Sequence, residues 1–441
     1  MSAAATPGRR VARHTGWLLA AHLVYGAMLL AQAIMVTRAL GRESFGVFIL
    51  IVSWVLTVAQ MLDWRIWEPI TKYLPQFRAE NRFDRAAGVF QLGCMLETAS
   101  ALVAVGIIWV SAPLAASLFI KDPEAASLIR FFVPAALLLV PVNPMSALLR
   151  LADQPGRLAL QRIATGVVLT GGTAAVFLTG PSLAGFLGVQ LIGLAVGAAI
   201  LIVMGVGAAR TLDVRWWRRG GIAALRGRRR EIIRFCVMTN LSGCSRVFTG
   251  RVDNLVLALF ATPAAVGLYD IARSLTAQIR ELAGPLQMSV FPEMARLAAE
   301  GAHDALRRLQ RQITIALAAA VVPVCVVGTV AAPVLVPLLF GPAFEGAVVL
   351  FQILIWHLLW LPTVWIPSYL LVRGRAGTLT ALLWLDALLF SVLLLALVPR
   401  FGALGAAWAW TARQLIWMGI TVGALRRLGP PARTVATRAA A

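Results

Sequence analysis

Polar and charged side chains recur at helical spacing inside stretches that are otherwise apolar. Arg246, Arg251, Asp253 and Asn254 lie in one such stretch, and Asp270, Arg273, Arg280 and Glu281 lie in the next. At 100° per residue, Asp270, Arg273, Ala277 and Glu281 share one helix face, with Arg280 beside them; Arg246, Gly250 and Asp253 share a face of the preceding helix. Arginine grips phosphate with a planar two-donor fork, so these faces suit a cationic cavity for a phosphate-bearing ligand. Internal ion pairing, such as Asp270 with Arg273 one turn on, is the other reading. Four arginines against three acids leave a surplus of one, which does not choose between them. Ser53, Thr57, Gln60, Trp64 and Glu68 follow at spacings of 4, 3, 4 and 4 and form one polar stripe, with Arg65 adjoining it. The stripe is expected either to line the cavity opposite Arg246, Arg273 and Arg280 or to hydrogen-bond between helices. Glu97 stands alone in its stretch, as a proton carrier or as a structural carboxyl. Asp386 and Arg413 are suited to pair with each other.

Other chemistry finds no support. The four cysteines (Cys94, Cys236, Cys244, Cys325) form no CxxC and lie in apolar segments, as small core residues do. The four histidines form no HExxH and no cluster, so no metal site is expected. Neither lysine, Lys72 or Lys121, follows a glycine, so a Walker A phosphate loop is absent. No catalytic residue and no cofactor is expected. The coupling ion, proton or sodium, stays open.

The elements that must position these residues are membrane helices. Of 441 residues 60% are hydrophobic and only 13% are charged, about half the ordinary share in a soluble domain. Mean hydropathy is +0.82. So much apolar surface excludes a soluble enzyme, a disordered chain and a disulfide scaffold, and implies lipid as the main solvent. Apolar stretches centre near Val55, Val103, Leu138, Val168, Leu194, Leu255, Gln278, Val321, Trp356, Leu389 and Trp408, after a first one from Thr15 to Val36. They predict an all-α membrane protein with about twelve transmembrane helices. With the N-terminus in the cytoplasm, 30 of the 40 Lys and Arg fall on the cytoplasmic side and five on the outer side. This positive-inside asymmetry places both termini in the cytoplasm and makes a nucleic-acid partner unnecessary for a net charge of +21. The organisation expected is a six-helix bundle over residues 1–209, a basic cytoplasmic linker over 210–230 and a second bundle over 231–441. Pro134, Pro141, Pro144, Pro362 and Pro367 fall in corresponding spans of the two halves, as candidate hinges or simple kinks.

The halves resemble each other at an offset of about 221. Phe45-Gly46-Val47-Phe48 falls on Val266-Gly267-Leu268-Tyr269, Leu118-Phe119 on Leu339-Phe340, and Pro141 on Pro362. Six helices per copy is an even number, so both copies should share one orientation, related by an axis along the membrane normal.

Several stretches together resemble a known family. They are Thr37-Arg38-Ala39-Leu40-Gly41-Arg42-Glu43-Ser44-Phe45-Gly46, Arg251-Val252-Asp253-Asn254-Leu255, Val266-Gly267-Leu268-Tyr269-Asp270-Ile271-Ala272-Arg273, Phe291-Pro292-Glu293-Met294, Leu339-Phe340-Gly341-Pro342 and Pro399-Arg400-Phe401-Gly402-Ala403-Leu404-Gly405. The set is similar to the polysaccharide transporter branch of the MOP (multidrug, oligosaccharidyl-lipid, polysaccharide) exporter superfamily. The resemblance implies a V-shaped, MATE-like pair of six-helix bundles working by alternating access. It also implies a flippase for undecaprenyl-diphosphate-linked oligosaccharide in the bacterial inner membrane. Its partners would be the lipid-linked oligosaccharide, membrane lipids, and glycan polymerase or glycosyltransferase machinery of O-antigen, capsule or exopolysaccharide assembly. A cation-coupled multidrug antiporter should carry a carboxylate in the first helix, and Thr15 to Val36 has none. A membrane glycosyltransferase or polymerase should carry long acidic or histidine-rich outer loops, whereas those here are as short as Ala261-Thr262-Pro263-Ala264.

Overall fold

The computed structural model describes residues 7–212, 214, 221–248, 250–281, 293–298, 300–373 and 375–427. Nearly all of these are helical, which is how a backbone satisfies its hydrogen bonds where water is excluded. Compactness divides the chain into two units, Met1–Gly267 and Leu268–Ala441. The first takes in the beginning of the stretch that the sequence assigned to the second half.

The first unit opens with α1 (Pro7–Met61), broken at Gly41, whose φ of 69° and ψ of 177° no helix accommodates. Then come α2 (Trp67–Ala79) and α3 (Phe83–Ala115), which ends in a π-helical turn, Ala116–Ile120. A broken span follows as α4 (Ala125–Phe132), α5 (Ala135–Leu138) and α6 (Val142–Leu151). The breaks fall at Pro134 and Pro141, two of the prolines singled out above. Next are α7 (Pro155–Thr179), α8 (Leu183–Thr211), α9 (Gly221–Ala224), α10 (Arg229–Phe248) and α11 (Val252–Phe260). The division between units falls within α12 (Pro263–Glu281). The second unit continues with α13 (His303–Phe340), α14 (Ala347–Leu354), a 3-10 segment (Ile355–Thr363) that holds Pro362, α15 (Ile366–Val372) and α16 (Ala376–Arg427). Gly402 breaks α16 as Gly41 breaks α1.

Among the described residues eight segments are long and apolar enough to cross a membrane, against twelve expected. The two longest of the eight, Leu23–Met61 (39 residues) and Gly377–Gly423 (47 residues), are about twice the ~20 residues one crossing needs. Each contains one of the two glycine breaks. The charges of α10 and α12 keep those helices below the same apolar threshold. Side chains such as Val110, Leu178 and Val330, exposed by 79%, 80% and 75%, give these helices an apolar outer surface of the kind a bilayer accommodates.

The 221-residue offset reappears in the element boundaries. The segment Phe83 to Ile120 answers to His303 to Phe340, 220 residues on at both ends. Helix α7 begins at Pro155 and α16 at Ala376, 221 residues apart. One contact carries the same symmetry: a Cβ on Gly46 would overlap the Pro263 carbonyl, and a Cβ on Gly267 would lie 2.9 Å from the Arg42 carbonyl. Gly46 corresponds to Gly267, and Arg42 to Pro263, at 221. The contact is therefore reciprocal, the signature of a local two-fold. Gly46→Ala and Gly267→Ala are each expected to destabilise the protein by about 1–3 kcal/mol, because backbone cannot yield to the added methyl. Thermal unfolding in detergent tests this; unchanged midpoints in both variants would contradict the packing.

The main apolar core of the first unit surrounds α2. Ile70, Tyr73, Leu74 and Phe77 pack with Phe90, Leu148, Leu225 and Ile232. The Tyr73 hydroxyl donates to Glu231 Oε1 at 3.1 Å. Burial, with that carboxylate beside it, pushes the phenol up to about 12. A smaller cluster in the second unit joins Met294, Leu297 and Leu306 with Trp365 and Tyr369. Met294 belongs to the Phe291-Pro292-Glu293-Met294 motif, whose first two residues lie outside the described ones.

Candidate functional site

The first unit holds a polar cavity of about 320 Å³ lined by Gln60, Asp63, Arg65, Glu97, Ser100, Asn143 and Gly243, among apolar neighbours. Its geometry follows from where α1 stops. The helix ends at Met61, and Arg65 adopts a φ of 49°, so the chain turns between α1 and α2. In that turn Asp63 Oδ1 accepts the Arg65 backbone N–H at 2.7 Å and Asn143 Nδ2 at 2.8 Å. Asn143 Nδ2 also donates to Glu97 Oε1 at 2.6 Å, so one amide holds two carboxyl groups together. Glu97 is 5% exposed, and its Oε2 is buried with no hydrogen-bond partner among the described residues. From α10, Asn240 Nδ2 donates to the Asp63 carbonyl at 2.5 Å. Arg65 lies on Gly243, where any Cβ would overlap its side chain, and Arg65 Nε donates to Glu68 Oε1 at 2.9 Å.

Glu97, the lone acid of its apolar stretch, is thus hydrogen-bonded to a side chain from another element, which fits either of the two roles the sequence left open. The signal for Asn143 lay in its neighbours: it sits between Pro141 and Pro144, two of the marked prolines. Asp63 gave less warning, because it closes an apolar stretch like any helix-end polar residue. Among the described residues the second unit shows no such polar centre. At the position answering to Glu97 the chain has Leu317, and the local polar contacts are Thr314 Oγ1 with the Pro362 carbonyl (3.2 Å) and Trp365 Nε1 with Thr314 Oγ1 (3.0 Å).

The polar stripe divides. Ser53 is buried and accepts Asn254 Nδ2 at 3.3 Å, a hydrogen bond between helices. Thr57 is buried as well, and Gln60 lines the cavity. Trp64 and Glu68 leave the stripe because α1 ends before them. The face shared by Arg246 and Asp253 also fails, because the helix is interrupted between Phe248 and Val252 and the angular count does not carry across. Asp253 is buried and its Oδ1 accepts the Asn254 N–H at 3.0 Å, Arg251 sits at the start of α11, and the side chain of Arg246 lies outside the described residues.

In the second unit each arginine singled out has an acid beside it. Arg273 meets Asp270 at 3.1 Å, Arg280 meets Glu281 at 3.5 Å, and Arg413 meets Asp386 at 3.6 Å. The guanidinium groups of Arg273 and Arg413 also stand 6.0 Å and 4.6 Å from the Trp410 ring centre. Pairing and cation–π contact are how a bundle tolerates arginine within a span. The pairs of Arg273 and Arg280 are local, within one helix, so a ligand anion can compete for them without unfolding anything. The cavity and these arginine–acid pairs are what the geometry offers chemically: hydroxyl-binding groups in one unit, exchangeable guanidinium groups in the other.

The architecture is that of a multi-pass membrane protein of the MOP transporter fold. An inward-facing multidrug resistance MATE transporter of the MOP superfamily aligns over 93% of this chain and 96% of its own, with a TM-score of 0.69 and 16% identity. The lipid II flippase MurJ, in an inward closed conformation, aligns over 93% of this chain and 87% of its own, with a TM-score of 0.68 and 12% identity. A MOP superfamily transporter from Pyrococcus furiosus gives 0.67 at 13% identity, over 96% of both chains. At such identities the likeness is one of fold. No curated protein matches in sequence. The family model for polysaccharide biosynthesis proteins matches residues 34–349, and the chain belongs to that family.

Proposed function

We propose that this protein is a flippase that carries a lipid-linked oligosaccharide across the bacterial inner membrane by alternating access, for a glycan polymerase or glycosyltransferase system. The observation that carries the reading is the cavity around Asp63, Glu97 and Asn143, whose remaining lining is largely apolar. Carboxylate, amide and hydroxyl groups are the partners sugar hydroxyls use, and inside a membrane protein they are costly unless paired or turned towards water or a ligand. Membership of a polysaccharide biosynthesis family supports a saccharide cargo. Arg273 and Arg280 are proposed to hold the diphosphate while the lipid tail stays in the bilayer. Asp270 and Glu281 then compete for the same guanidinium groups and allow release.

The test is reconstitution. Proteoliposomes holding the purified protein and a fluorescent undecaprenyl-diphosphate oligosaccharide should move it between leaflets, measured by protection from an external glycosidase. Movement no faster than in protein-free liposomes would overturn the proposal. A cation-coupled antiporter is the second reading, favoured by the paired carboxyl groups of Asp63 and Glu97. It requires drug efflux that collapses when the proton or sodium gradient is dissipated.

The proposed topology has twelve spans in two six-helix halves, 1–209 and 231–441, joined by a cytoplasmic linker over 210–230. Reporters placed after Ala441 and near Gly220 should both read cytoplasmic, and one near Thr262 should read external. Opposite signals from the first two would refute the orientation.

A further inference from the structure

The flippase reading does not use the cluster Arg226-Gly227-Arg228-Arg229-Arg230 at the start of α10. Gly227, at a φ of 89°, turns the chain and separates these arginines into two kinds. Arg228 turns inward, donating to Glu231 at 3.0 and 3.1 Å and lying 5.3 Å over the Phe77 ring. Arg226, Arg229 and Arg230 are exposed and have no acidic partner among the described residues. With Ile233 they line an open concavity of about 490 Å³. The acid within reach, Glu231, is already engaged by Arg228 and by the Tyr73 hydroxyl. Lys72, exposed and 4.0 Å over the Phe235 ring, adds a further positive charge on the adjoining helix.

The helix beyond the concavity changes character along one face. Arg230, Ile233, Val237 and Leu241 follow at spacings of 3, 4 and 4, which keeps them on a single stripe. Val237 and Leu241 are exposed by 46% and 51%. The stripe thus runs from guanidinium to bare hydrocarbon within about three turns. A ligand that satisfies both ends has a multiply charged anionic head and an apolar tail. One phosphate occupies one or two guanidinium forks; three exposed arginines on the rim of one concavity match the greater charge and oxygen count of a diphosphate.

We propose that this concavity docks the diphosphate headgroup of a prenyl-type lipid, with the tail along Val237 and Leu241, before the lipid is translocated. The identity of the lipid rests on the flippase reading; the site does not. The test is binding of radiolabelled farnesyl diphosphate to the full-length protein in phosphatidylcholine nanodiscs. Combined Arg226→Gln, Arg229→Gln and Arg230→Gln should weaken binding about tenfold or more. The charge-matched control Arg307→Gln, Arg308→Gln and Arg311→Gln, on α13, should leave it unchanged. Inorganic pyrophosphate should compete poorly for want of a tail, and phosphatidylglycerol in the nanodisc should compete poorly for want of a second phosphate. Wild-type affinity in the first variant, or equal losses in both, overturns the site. Competition by pyrophosphate as strong as by farnesyl diphosphate overturns the lipid, and competition as strong by phosphatidylglycerol overturns the diphosphate. If the wild-type protein binds farnesyl diphosphate through these arginines yet moves no lipid-linked saccharide, the docking site stands and the flippase reading falls.

Discussion

Arg273→Ala is expected to abolish glycan export while leaving the protein folded in the membrane. Arg273 pairs with Asp270, one turn away on the same helix, and lies against the face of Trp410. Removing it loses that local ion pair and ring contact, while Asp270 keeps the Ser274 hydroxyl at 3.4 Å. For a diphosphate crossing a low-dielectric core the loss is larger. A charge-assisted hydrogen bond contributes ~1.5–3 kcal/mol, or roughly one to two powers of ten in binding for each one lost. Arg273→Lys should restore little, because an ammonium group is a point charge and lacks the fork. Asp270→Asn separates the two roles of the arginine. If Arg273 serves only to neutralise Asp270, the asparagine variant should rescue the alanine one; if it binds phosphate, Asp270→Asn should retain export and tighten binding. Normal export by Arg273→Ala, measured as surface glycan in complemented cells, would remove this residue from the mechanism.

Asn143→Ala should produce the largest structural effect. The amide donates to Asp63 and Glu97 at once, and without it two neighbouring carboxyl groups face each other with no shared donor. A buried acceptor left without its donor costs ~1–3 kcal/mol, and burial of Glu97 prevents water from replacing the donor easily. The expected result is a clear drop in the unfolding midpoint in detergent, together with loss of transport. Asn143→Asp should be worse than Asn143→Ala, because it sets a third acid where the donor was. Asn143→Gln should recover part of the stability if the amide reaches. An Asp variant as stable as the wild-type protein would show that the two carboxyl groups do not depend on this residue.

Much of the architecture was written in composition. Apolar stretches of about 20 residues mark membrane helices, because that preference depends on local free energies of transfer and needs no tertiary partner. The 221-residue offset was legible for the same reason: Gly46 and Gly267 repeat because each half makes the same close backbone approach. Asp270 with Arg273 could be paired in advance, since residues three apart on a helix are neighbours whatever surrounds them.

The polar centre was not legible in this way. Asp63, Glu97 and Asn143 belong to three elements, and nothing local in any of them announces the other two. Periodicity assumes an unbroken helix, and it failed where the backbone departs from one. The stripe beyond Gln60 was lost because α1 ends at Met61, and the common face of Arg246 and Asp253 was lost because the helix stops at Phe248 and restarts at Val252. Hydropathy and charge decided which segments enter the membrane. Only the folded chain decided which carboxyl groups would share one amide, because that depends on helix ends and on packing between elements far apart in sequence.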